Sequence, residues 1–323
     1  MLVGADVCAS ARAIMMYKQL LSLTCLLLTA CSEHDIGQFT PGLVDTCRAM
    51  PAFIKNTSLG TQVAIDTQQQ GYVGLRLVQP QTGKTWQHPT WDDAGHLGAT
   101  ARDRQGHIYI VPTPEVSLLE NPPALQNRIY RVDSQTGEMK VWLELPQAAQ
   151  PSAANPFGAM GLFYDCDTDS LYVSSVAGST PQQAQGRLYQ IDVATKKVVD
   201  QVEQVDAIGV AVFNGVAYKR LYFGSARSSD VYSLPLDAQG HFINQPRHEF
   251  ALAALPNGNT TSVRRFIFTK AGSSYALQVK ELEFGFRLLA ENNLKRRSYN
   301  FSYQADKDTW QFSSSQLESF SGR

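Results

Sequence analysis

The chain has 323 residues, 43% hydrophobic and 18% charged, with a formal net charge of −1. That length can bury a full core, and one large all-β domain of this size is ordinary. The near-neutral balance removes any general electrostatic reason to expect nucleic acid as a partner.

At the start of the chain, Met15-Met16-Tyr17-Lys18-Gln19 precedes an apolar run from Leu20 to Leu28 and then Thr29-Ala30-Cys31. A basic start, a short apolar centre and small residues before a cleavage point make a secretory signal. Leu20 to Ala30 falls far short of the roughly 20 apolar residues that cross a bilayer. The ending Leu28-Thr29-Ala30-Cys31 resembles the bacterial lipobox, which implies a lipid on the Cys31 thiol and removal of residues 1–30. A serine, Ser32, and not an aspartate directly after the cysteine resembles the outer-membrane sorting signal of Gram-negative lipoproteins. These resemblances imply an outer-membrane lipoprotein facing the periplasm. They divide the chain into a signal peptide at 1–30, a lipidated cysteine and tether at 31–48, and one domain at 49–323. Of the five cysteines, Cys8 and Cys25 leave with the signal and Cys31 carries lipid. Cys47 and Cys166 remain in an oxidising compartment, where a bridge between them and two separate thiols are both open readings.

The body reads as short strands punctuated by turns. Ala52 to Lys55, Gln62 to Asp66, Tyr72 to Val78 and Lys84 to His88 make a first set. A second runs from Leu97 to Leu145, interrupted by the proline-rich stretch Pro112 to Gln126, which cannot be a central strand. A third runs from Phe157 to Glu203, with a polar insertion at Ala177 to Gly186. The fourth is the clearest: Ile208 to Phe213, Arg220 to Gly224 and Val231 to Leu236, joined through Asn214-Gly215 and closed by Asp237-Ala-Gln-Gly240. Asn-Gly and Asp-x-x-Gly supply the positive φ angles of tight strand connections. A fifth comprises Val263 to Thr269, Tyr275 to Val279 and Phe284 to Leu289. Its neighbourhood, Arg264 to Arg297, is locally basic and reads as a solvated face or a blade edge.

Tyr130, Tyr189 and Tyr232 recur at intervals of 59 and 43 residues. Several short strands per unit of this size predict an all-β propeller of four-stranded antiparallel blades. The tail from Tyr299 to Ser313 echoes Leu162 to Ser174, so the reading favours six blades, the first or last composite, with five as the alternative.

Enzyme signatures are missing: there is no G-x-S-x-G, P-loop, H-E-x-x-H or C-x-x-C. Asp165-Cys-Asp-Thr-Asp169 begins like an EF-hand loop, but Ser170 and Val176 stand where that loop needs glycine and a bidentate glutamate. A turn explains these aspartates. The six histidines show no helix-type ligand spacing. Residues at the starts of inner strands should line the channel mouth: His96, Asn155, Asp206, and Arg264 or Arg265. Either they cap strands, or they form a polar site whose acid, amide, imidazole and guanidinium groups suit a small anionic or sugar-like ligand. No residue is assigned a catalytic or metal-binding role.

Asp206-Ala-Ile-Gly-Val-Ala-Val, Lys219-Arg-Leu-Tyr-Phe-Gly224, Asp230-Val-Tyr-Ser-Leu and Asp237-Ala-Gln-Gly240 together resemble the blade pattern of the senescence marker protein/gluconolactonase family of calcium-dependent lactonases. The resemblance implies a propeller with a divalent cation held in its channel by glutamate, asparagine and aspartate. One such asparagine lies just before the inner-strand glycine. Here Ile208 precedes Gly209, and isoleucine has no oxygen to give. Two functions follow. The first is a monomeric, cofactor-free binding module, attached to the membrane through lipid, for a small polar molecule or an envelope protein. The alternative is a hydrolase of sugar lactones or related esters using calcium. A purely structural scaffold is a third.

Overall fold

Side chains of a strand alternate between its two faces, and that alternation builds this molecule. The computed structural model describes residues 39–67, 72–114, 118–288 and 296–318. The signal segment, Cys31, Ser32 and Leu289 lie outside them.

The first strand, β1 (Gly42–Leu43), belongs to a later sheet. Blade one is β2 (Ala64–Asp66), β3 (Arg76–Val78) and β4 (Thr85–Trp86). Blade two is β5 (Leu97–Arg102), β6 (Ile108–Pro112), β7 (Arg128–Val132) and β8 (Met139–Glu144). Blade three is β9 (Ala159–Asp165), β10 (Ser170–Ser175), β11 (Arg187–Asp192) and β12 (Lys197–Glu203). Blade four is β13 (Ala207–Asn214), β14 (Lys219–Ser225), β15 (Asp230–Leu236) and β16 (Arg247–Ala251). Blade five is β17 (Ser262–Ala271), β18 (Ser274–Leu282), β19 (Arg296–Gln304) and β20 (Thr309–Glu318). Every pairing is antiparallel between chain neighbours except that β1 adds to the free side of β13, with Gly42 opposite Asn214 and Leu43 opposite Phe213.

Among the described residues the blades number five, of three to five strands each, and the sixth expected from the sequence is not among them. The tail is not a blade start; it supplies β19 and β20, the outer pair of blade five. Its echo of blade three is nonetheless physical. Tyr164 donates its hydroxyl to Asp169 Oδ1 and Tyr303 donates to Asp308 Oδ1, and both aspartates sit in the left-handed region at φ 51° and 49°. The same turn closes an inner hairpin in one blade and an outer hairpin in the other, so the resemblance marks a hairpin and not a blade position. Two smaller expectations change as well. Ala52–Asn56 is a 3-10 helix following Pro51, and residues 284–288 are a loop, the third strand of blade five starting at Arg296.

Blade packing follows from the alternation. In blade five one face carries Phe266, Val279, Tyr299, Leu277, Phe301 and Trp310, which pack on blade four. The opposite rows run Arg265–Lys280–Ser298 and Ile267–Gln278–Asn300–Ser314; Arg265 and Ser314 are exposed, Lys280, Ile267, Gln278 and Asn300 are half-buried, and Ser298 is buried. Leu75 and Leu77 join blade one to Leu97, Ile108 and Ile110 of blade two, under Phe53 and Trp91. Tyr109, Val111 and Ile129 join blade two to Tyr164, Leu171 and Tyr189 of blade three. The chain enters each inner strand on one face of the ring, which also carries the insertions between second and third strands. The remaining hairpin tips lie on the other face. At those tips aspartates accept backbone N–H groups: Asp103 from Gln105 and His107, Asp237 from Gln239 and His241, Asp133 from Gln135 and Thr136. Among the described residues no helix is long and apolar enough to cross a membrane.

Candidate functional site

At the insertion-loop face, the strand starts bring some of the expected residues together. Asp206 immediately precedes β13 and is buried; Oδ1 accepts the Ser179 hydroxyl and the Gly186 N–H, and Oδ2 accepts Arg227 Nε. Arg227 then donates to the carbonyls of Pro181 and Thr180 and lies over the Phe286 ring at 5.1 Å. Asn155, also buried, donates to the carbonyls of Val176 and Ser179 at 2.8 and 2.9 Å and accepts the Phe157 N–H. Asn155 and Asp206 therefore meet through Ser179, and both are consumed in pinning the 176–186 insertion. His96 belongs to a separate arrangement in blade two, where its backbone N–H and C=O bond the Asn121 side chain. Arg264 and Arg265 are exposed on β17. These five residues are not one cluster.

Below that rim the channel mouth is apolar. Ile208, 1% exposed, packs with Phe157, Val176, Ala226 and Phe286, and the Phe284 ring lies tilted against Phe157 with ring centroids 5.0 Å apart. The inner strands approach so closely that a Cβ on Gly161 would lie 2.5 Å from Ile208 O, and one on Gly209 2.2 Å from Arg264 O. A calcium ion wants six to eight oxygens. Ile208 offers none, the oxygens of Asp206 are already bonded, and no group of three or more metal-binding side chains exists among the described residues. The donor set does not fit a divalent cation.

The hairpin-tip face holds the arrangement that sequence reasoning missed. Residues 39–48, expected as tether, form a strap across the tips. Cys47 and Cys166 are joined as a disulfide, with Cα atoms 5.9 Å apart. Cys166 N–H bonds the Val44 carbonyl, and Arg48 reaches the Tyr164 carbonyl while lying over the Phe163 ring. Burial, then the bond to Asp169, pushes the Tyr164 phenol up to about 12.

Beneath the strap Lys219 is fully buried. Its Nζ lies 2.8 and 2.6 Å from the two oxygens of Asp165, also fully buried, and 2.8 Å from Asp167 Oδ2. Phe39 covers the ammonium at 4.3 Å. Burial pushes the Asp165 carboxyl up, opposed by Lys219 and by bonds from Asp167 N–H and the Thr168 hydroxyl. A buried charge persists only when paired and hydrogen-bonded, and here it is. No local pattern reveals this, because Lys219 and Asp165 belong to different blades, 54 residues apart.

Beside the ion pair lies a cavity of about 520 Å³ lined by Phe39, Pro41, Leu43, Asp167, Lys270 and Tyr275, among others. Asn214, also in its wall, donates to Thr40 O and Asp167 Oδ2 and keeps a buried Oδ1 without a partner among the described residues. Asp167 is about one-third exposed, at 36%. The cavity thus has an acceptor side, a cation and aromatic rings.

No family model matches the chain, and no curated protein matches it significantly. Similar solved structures exist at low identity. A Lactobacillus plantarum protein is 10% identical over 79% of this chain with a TM-score of 0.45, and the chain spans 66% of its length, just under two thirds. An endo-arabinase from Bacteroides thetaiotaomicron is 9% identical with a TM-score of 0.40, over 67% of this chain and 77% of that one. The Dos1 propeller is 9% identical with a TM-score of 0.37, over 76% of this chain and 55% of that one. The chain is a β-propeller by its own five sheets, and likenesses at this level carry nothing further.

Proposed function

We propose that the chain is an envelope-anchored β-propeller that binds a small polar molecule, with the anchor at Cys31 and the site in the strap cavity. The observation that carries this is the buried Asn214 Oδ1, without a partner among the described residues, in a wall shared with Asp167 and Lys270. A buried acceptor left unmatched costs about 1–3 kcal/mol, so a donor from a bound molecule has a place to act. Asp167 would receive a second donor and Lys270 an anionic group, which favours a molecule carrying both signs of charge or several hydroxyls. The channel-mouth polar residues support the loop framework instead.

The lactone-hydrolase reading needs a cation, and the donor set at Ile208 and Asp206 argues against one. The test is a thermal-shift screen of small zwitterions, sugars and sugar acids on wild type and Asp167→Asn, with metal analysis and a lactone-hydrolysis assay with and without chelator. Stabilisation of wild type that Asp167→Asn loses supports the proposal. Stoichiometric calcium with chelator-sensitive turnover would replace it with the hydrolase. No stabilisation by any compound, together with co-purification of an envelope protein, would replace it with the partner-binding reading.

A further inference from the structure

The strap gives the propeller a direction. We infer that in the anchored protein the hairpin-tip face is turned toward the lipid bilayer and the insertion-loop face away from it, with the Cys47–Cys166 bridge setting the length of the leash. This rests on the anchoring at Cys31 proposed above.

The described chain starts on the hairpin-tip face at Phe39, and three contacts hold it there: the Phe39 ring on Lys219, Thr40 O accepting Asn214 Nδ2, and Pro41 O accepting the Tyr275 hydroxyl. Because β1 pairs with the inner strand β13, the exit lies near the axis of the ring and not at its rim. Cys31 and Phe39 are eight residues apart. At about 3.5 Å per residue the leash reaches no more than about 28 Å. A domain of this length has a radius of gyration of about 19 Å, so a path from the axis of one face round the rim to the other exceeds about 40 Å. The leash is too short for that path, and the insertion-loop face cannot lie on the membrane that holds Cys31.

Unclamping changes the arithmetic. The bridge is the covalent part of this clamp; without it residues 39–48 keep only non-covalent ties, namely the β1 pairing, the buried Val44 and the contacts of Phe39, Thr40, Pro41 and Arg48, and where those open the next tie is Ala49 N–H to Asp103 O. Measured from Cys31, that tie is eighteen residues away, a reach of about 60 Å that clears the rim.

The experiment uses the full lipidated protein in phosphatidylethanolamine/phosphatidylglycerol vesicles carrying a headgroup-nitroxide lipid. Single fluorophores are placed through Val216→Cys, 56% exposed at a hairpin tip, and Leu119→Cys, 84% exposed in the blade-two insertion. Quenching several-fold stronger at position 216 than at 119 is expected. The contrast should shrink on replacing Cys47 and Cys166 by serine. It should shrink equally on inserting a twelve-residue Gly-Ser segment between Cys31 and Phe39, a change that leaves the fold untouched. Equal or reversed quenching in acylated, vesicle-bound wild type overturns the orientation. A contrast that survives both changes overturns the leash. Protein that carries no acyl group and washes off the vesicles overturns the anchoring itself, a different failure.

Discussion

The two ends of the ring axis are closed by different physics. At the insertion-loop end Ile208, Phe157, Val176 and Phe286 make an apolar plug, with Asp206 and Arg227 at its rim. At the hairpin-tip end the closure is directional: Lys219 between two aspartates, a disulfide, and a two-residue strand. Apolar closure tolerates exchange of one similar side chain for another, whereas a buried ion pair fails when either partner is removed. A propeller can therefore vary one end while the other is held by geometry.

The largest expected effect lies at the directional end. Lys219→Met leaves Asp165 buried and unpaired, and should lower unfolding free energy by about 3–5 kcal/mol in urea titrations. By contrast Ile208→Leu, at the apolar end, should lower it by less than about 1.5 kcal/mol. Equal losses would erase the contrast. Next, replacing Cys47 and Cys166 together by serine removes a cross-link over 119 residues. Typical disulfide losses of about 2–4 kcal/mol are expected, read as a lowered urea midpoint against non-reduced wild type.

Ile208→Asn sharpens the comparison from the other side. It places an amide among apolar groups, and each unmatched site should cost about 1–3 kcal/mol. Melting temperature should fall, and millimolar calcium should not restore it. A variant that melts higher in calcium, with wild type unresponsive, would mean that the mouth can hold a cation after all. The smallest effect is at a hairpin tip. The Thr195 hydroxyl, then its backbone N–H, hold the Asp192 carboxyl below its ordinary 3.8. A depressed carboxylate stabilises the fold above its unfolded pKa and loses that contribution as pH falls through the folded value. Wild type should thus exceed Asp192→Asn in stability at pH 6, with the gap closing below about pH 4. A gap that stays constant down to pH 2 would contradict the assignment.

Strands and turns were legible because their signals are local. Asp237-Ala-Gln-Gly240 predicts a tight turn, and Asp237 accepts the N–H groups that such a turn offers. Blade count was not legible, because Tyr164–Asp169 and Tyr303–Asp308 close hairpins of different rank with the same chemistry. At the mouth, Ile208 announced the apolar surroundings that the structure gives it. His96 and Asp206 stand directly before strands and Asn155 four residues before one, and their bonding partners lie in insertions with no periodicity to read. Lys219 stands at the start of a strand with no local signal to mark it, and the contact between blades three and four buries it.

The bare backbone contacts at Gly161 and Gly209 have a consequence for the seams of the ring. Neighbouring inner strands touch there without an intervening side chain, so a methyl group at either position would meet a backbone carbonyl and the two strands would have to part. Gly161 sets the approach of blade three to blade four, and Gly209 that of blade four to blade five. A larger residue at either position would therefore be felt at a seam between blades and not within a sheet.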